Sequence, residues 1–183
     1  MKKKILVACL CVALAVLTIA GTTLAYLTSK TEAVVNTFTV GNIDITLTET
    51  TTDYKMVPGS TIAKDPKVTV KAGSEDCWLF VKVEESTNLD DFITYTIDSG
   101  WTALTGVDGV YYREVAAATA DTSFDVLKDN QVTVNTTVTK TMMDGLQVED
   151  ATQPTLTFTA YAIQKASFGT AAAAWTEVSN PTT

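Results

Sequence analysis

Between residues 36 and 164 the chain repeatedly alternates apolar and polar positions with a period of two, the spacing that sends successive side chains to opposite faces of a β-strand. The runs are "NTFTVGNIDITLTE" (36–49), "PKVTVKA" (66–72), "CWLFVKVEE" (77–85), "DFITYTID" (91–98), "GVYYREVA" (109–116), "NQVTVNTTVTK" (130–140) and "PTLTFTAYAIQ" (154–164). Threonine, valine and isoleucine recur throughout, and β-branched side chains suit a pleated, half-buried surface. In the first run Phe38 and Val40 alternate, Gly41 and Asn42 supply a bulge or bend, and Ile43, Ile45 and Leu47 resume the pattern. The alternation predicts an all-β domain of about seven or eight strands.

The segments between the runs carry turn chemistry. "VPGST" (57–61), "KDP" (64–66), "KAGSED" (71–76), "DSG" (98–100), "GVDG" (106–109) and "KDN" (128–130) combine glycine for positive φ, proline for fixed φ and Asx side chains for local bonds. Short helices are predicted at 86–92, 139–146 and 168–178, the last because alanine is the best helix former, and all three should cap sheet edges. No stretch rich in Pro, Gly or Ser divides residues 36–183, so they form one domain, an antiparallel sandwich.

"CWLFVKVEE" is apolar on both faces at its start. Cys77, Leu79, Val81 and Val83 share one face, while Trp78 and Phe80 share the other with Lys82 and Glu84. The outer face must therefore be covered, either by a loop or the C-terminal helix, or by another subunit.

Ahead of the β pattern lies a different signal. Lys2, Lys3 and Lys4 precede an apolar run from Ile5 to Ala20, as in a secretory leader. Thr23-Leu24-Ala25 offers small residues where a signal peptidase cuts, which places the cleavage between Ala25 and Tyr26. Residues 1–25 are then a signal-peptide helix and residues 26–35 a mobile N-terminal segment. As an uncleaved helix, Ile5 to Ala25 would reach about 31 Å, enough to anchor the chain. Membrane contact is expected only through that uncleaved leader.

Charge and composition narrow the chemistry. The chain of 183 residues has 13 basic and 21 acidic residues, a net charge of −8, and loss of the three leader lysines makes the mature protein more acidic still. Such a surface repels nucleic acid and anionic lipid. Two cysteines, Cys9 and Cys11, leave with the leader, so Cys77 stands alone and is expected to be a buried structural thiol. With no histidine in the sequence there is no Ser-His-Asp triad, no H-E-x-x-H zinc site and no imidazole ligand. Asp90-Asp91, Asp98 with Asp108, and Glu149-Asp150 lack calcium-loop spacing and are expected to be solvated or capping groups. Asn135-Thr136-Thr137 matches a glycosylation acceptor. Catalytic, cofactor and metal residues are all expected to be none. Tyr95, Trp101, Tyr111 and Tyr112 are either core aromatics or the lining of a sugar site.

The leader, with Tyr26-Leu27-Thr28-Ser29 directly behind it, the strand "NTFTVGNIDI", the turn and strand "PGSTIAKDPKVTV", and the closing "LTFTAYAIQ" with "AAAAW" together resemble the TasA/camelysin family. These are exported proteins of Gram-positive bacteria whose signal peptides are cut by a dedicated signal peptidase, SipW. The resemblance implies a jelly-roll-like sandwich, secretion to the matrix or cell surface, and assembly into fibres of a biofilm matrix. It also brings a reported surface metallo-endopeptidase activity, for which this sequence offers no ligand set. Leu27 and Ser29 depart from the Tyr-Phe-Ser-Asp start of founding members.

A jelly roll presents unpaired sheet edges, and an extended segment freed at one end can pair with such an edge on a neighbour. Residues 26–35, "YLTSKTEAVV", are the candidate donor strand, with Tyr26, Leu27, Ala33, Val34 and Val35 as its apolar contacts. The partners expected are further copies of the chain in a filament and a SipW-type peptidase during export. A camelysin-like peptidase and a monomeric surface binding module are the alternatives.

Overall fold

The computed structural model describes residues 42–51 and 54–180. Among these residues there are ten strands: β1 Ile45–Thr48, β2 Thr61–Ala63, β3 Lys67–Val70, β4 Cys77–Glu85, β5 Ile93–Thr94, β6 Thr102–Ala103, β7 Val110–Val115, β8 Thr122–Asp125, β9 Gln131–Val134 and β10 Leu156–Gln164. Helices α1 Leu89–Phe92, α2 Lys140–Gly145 and α3 Ala171–Ser179 fall where the sequence predicts them. The fold is an all-β sandwich with short peripheral helices.

One layer has the order β10-β4-β7-β6. Its spine is β4, paired with β10 from Cys77↔Gln164 to Glu85↔Leu156 and with β7 from Cys77↔Val115 to Lys82↔Val110. The facing layer contains two ladders, β1-β3-β8 and β2-β9-β5. They join because β2 runs into β3 through residues 64–66 while β8 runs into β9 through residues 126–130. Ala63 opposes Gln131 and Lys67 opposes Asp125, so the connection after β8 is the longer one and must bulge. A turn at Lys128–Asn130 absorbs the excess, with φ of 57° at Asp129 and 52° at Asn130, residue types that tolerate the left-handed region. Lys64 N–H to Asn130 O and Val126 N–H to Pro66 O, both 2.9 Å, bridge the bulge.

The core divides as the alternation requires. Val68 and Val70 meet Cys77, Leu79, Val81 and Val83 between the layers. Leu127, Val132 and Val134 form a second cluster closed by Leu89 and Phe92 of α1. On the outer face of β4, Trp78 and Phe80 lie under Ala171, Ala174 and Trp175 of α3. The Trp175 ring stands 5.4 Å from Phe80 and 5.2 Å from Tyr161. The Thr170 hydroxyl accepts the Ala173 N–H at 3.2 Å and caps that helix, and the Trp78 indole donates to the Phe168 carbonyl at 3.0 Å. The C-terminal helix and its approach loop are thus the cover that the apolar outer face demands.

Some strands differ from the sequence pattern. The first run contributes only Ile45–Thr48 among the described residues, and "DFITYTID" begins inside α1. Strands β2, β6 and β8, two to four residues long, lie outside the alternating runs.

Candidate functional site

The sandwich leaves a groove on each flank. On the first flank, among the described residues, β1 pairs only with β3 and β10 only with β4, so both turn unpaired edges outward. Leu47, Pro66, Leu156 and Phe158 line a cleft of about 330 Å³ there, and Leu47 is 36% exposed. A second cleft of about 440 Å³, lined by Tyr54, Met56, Ile62 and Leu156, shares Lys64 with the first.

Lys64 organises this flank. It is buried, reaches Glu49 Oε1 at 2.6 Å, and has its ammonium 5.0 Å from the Tyr54 ring and 5.4 Å from the Phe158 ring. The Tyr54 hydroxyl donates to Glu49 at 2.7 Å, and burial first, then that carboxylate, raises its pKa above the ordinary tyrosine value. Thr50 donates its N–H and hydroxyl to Asp65 at 3.0 and 2.5 Å, which holds the Asp65 carboxyl below its usual range. The chain leaving β1 is therefore fastened to the corner between β2 and β3, and the groove wall is fixed.

On the second flank, β5 faces the layer containing β7 across a cleft of about 600 Å³. Glu85, Asp90, Tyr95, Asp98, Trp101 and Tyr111 line it. The Tyr95 hydroxyl donates to Glu85, and burial together with that bond pushes the tyrosine pKa upward. Trp101 is buried and donates its indole N–H to Asp125 O at 2.8 Å. Beside it the Arg113 guanidinium stacks 3.7 Å from the Phe124 ring centroid, where desolvation lowers its pKa and Asp98 counteracts the shift.

The sequence-predicted residues distribute as follows. Three of the four candidate aromatics, Tyr95, Trp101 and Tyr111, meet in the second cleft; Tyr112 points to the opposite face and packs 5.8 Å from Trp78. Cys77 is fully buried, and burial pushes its thiol up to about 11. The cleavage residues Ala25 and Tyr26, and the donor residues Tyr26, Leu27, Ala33, Val34 and Val35, lie outside the described residues. What sequence reasoning missed is buried Lys64 with half-buried Glu49 and Tyr54, a set that forms only where the chain leaving β1 meets the β2–β3 corner.

A family model described as camelysin metallo-endopeptidase matches residues 1–95. No curated protein and no solved structure matches the chain. The family description implies a metal, but the residues do not fit one: the sequence has no histidine, and no group of three or more Cys, Asp or Glu suited to a metal occurs among the described residues. No helix among the described residues is long and apolar enough to cross a membrane.

Proposed function

The chain belongs to the camelysin family, and from that premise we propose that it is a secreted structural subunit that assembles outside the cell into biofilm-matrix fibres by donor-strand exchange. Residues 26–35 of one copy, freed when a SipW-type peptidase cuts between Ala25 and Tyr26, lie along the first flank of the next copy. The observation that carries this reading is the groove between β1 and β10. Among the described residues it has unpaired backbone on both sides, and its apolar walls are Leu47, Leu156 and Phe158. Tyr26, Leu27, Ala33, Val34 and Val35 supply apolar side chains for such walls, and an extended segment supplies the missing backbone partners. Each copy gives at one end and receives at the other, so the contact is heterologous and grows as a filament.

Before cleavage the donor segment is tethered to the leader helix and cannot enter a neighbour, so processing doubles as permission to polymerise. The test compares the chain starting at Tyr26 with one starting at Asn36, by electron microscopy and sedimentation. Filaments from the first and a folded monomer from the second are expected. Equal filaments from both would remove the donor segment from the mechanism, and monomers from both would favour a surface binding module. Peptide cleavage by purified protein that stops on chelation would restore the peptidase reading.

A further inference from the structure

The second flank has its own recognition chemistry, independent of residues 26–35. The Lys128 N–H bonds to Thr96 O and the Asp98 N–H to Val126 O, each at 2.9 Å, bracketing the bridge between Ile97 and Leu127. In an antiparallel pair this pattern turns the N–H and C=O of Ile97 itself away from Leu127, toward the open side of the sheet. Among the described residues the chain beyond Thr94 is therefore an edge with backbone groups available to one more strand.

What surrounds that edge is not neutral. The exposed carboxylates of Glu85 and Asp90 and the half-buried Asp98 stand around Tyr95 and Tyr111, and no Lys or Arg among the described residues lines the cleft. Arg113 offsets Asp98 from behind the wall, while Glu85 and Asp90 make no ion pair among the described residues. Carboxylates attract alkylammonium groups and tyrosine faces accept them by cation–π contact. We propose that the edge beyond β5 docks an extended lysine-bearing peptide of a partner protein, added as a strand against Ile97 with its cationic side chains between Glu85, Asp90 and the two tyrosines. The first flank, walled by apolar side chains around Lys64, suits the chain's own apolar donor segment, so the two grooves select different occupants.

The experiment titrates the purified protein with a fluorescent peptide alternating lysine and valine. Its controls are the glutamate–valine counterpart, the same lysine peptide with alternate amides N-methylated, and a chitosan oligosaccharide as an amine-bearing sugar. Amide NMR shifts locate the contact. The lysine peptide should bind with shifts centred on Tyr95, Ile97 and Tyr111. N-methylation should abolish binding, and Asp90→Asn with Glu85→Gln should weaken it about tenfold with an unchanged melting temperature. Binding of the chitosan oligosaccharide in preference to the peptide, equal binding of the acidic or methylated peptides, or shifts centred on Leu47 and Phe158 would each overturn the proposal. The chain starting at Asn36 should bind the peptide as well as the chain starting at Tyr26, which separates this inference from the fibre reading.

Discussion

Val83 donates its backbone N–H to the Gly109 carbonyl at 2.7 Å, and a Cβ built on Gly109 would stand 2.5 Å from the Val83 carbonyl oxygen. With φ of 69°, Gly109 occupies a conformation that L side chains rarely adopt, at the point where β7 begins its pairing with the spine strand β4. Both the turn and the close approach exclude a side chain. Gly109→Ala should cost about 2 kcal/mol or more, read as a lower urea midpoint, whereas Gly73→Ala, with open space around its Cβ, should cost less.

Trp175 is the keystone of the outer layer, because its ring contacts Phe80 and Tyr161 from a helix whose other buried residues are alanines. Trp175→Ala should destabilise by about 3–5 kcal/mol and increase binding of a hydrophobic dye as Trp78 and Phe80 open to water. Ala172→Ser, on the exposed side of the same helix, is the control and should leave both readouts near wild type.

The two faces of β4 were legible in the order Cys77-Trp78-Leu79-Phe80, since alternation alone requires two covers and the alanine-rich tail offers one. The short strands were not: Thr102–Ala103 and Thr122–Asp125 become strands through their neighbours β7 and β3 rather than through any pattern of their own. The candidate aromatics were legible as a set but not as a site. Tyr111 and Tyr112 must face opposite ways on one strand, yet which of them joins Tyr95 depends on how the layers stack. The pairing of Lys64 with Glu49 depends on a bulged corner, and no local signal announces it.

The buried thiol of Cys77 should resist chemistry. Native protein at pH 8 should react with a bulky disulfide reagent on the order of a hundredfold more slowly than urea-unfolded protein, because burial removes both access and thiolate. Labelling at the unfolded rate would place Cys77 at the surface.

The Asp65 carboxyl accepts two bonds from Thr50, chiefly the hydroxyl bond, and its pKa lies below the unfolded value. Its contribution to stability is therefore full above about pH 4 and is lost as pH falls through the lower folded pKa. Denaturant midpoints measured from pH 6 to pH 2 should fall less steeply for Asp65→Asn than for wild type. Identical acid limbs would show that the fastening of β1 to the β2–β3 corner does not depend on that charge.

In the proposed fibre residues 26–35 of one copy enter the β1/β10 groove of another, and a covalent trap reads that contact directly. In a Cys77→Ser background, subunits carrying Val34→Cys are mixed with subunits carrying Leu47→Cys and oxidised gently after assembly. The expected result is a mixed dimer in clear excess over either homodimer, dependent on cleavage after Ala25. Filaments that form in the same mixture while yielding no mixed dimer would contradict the account.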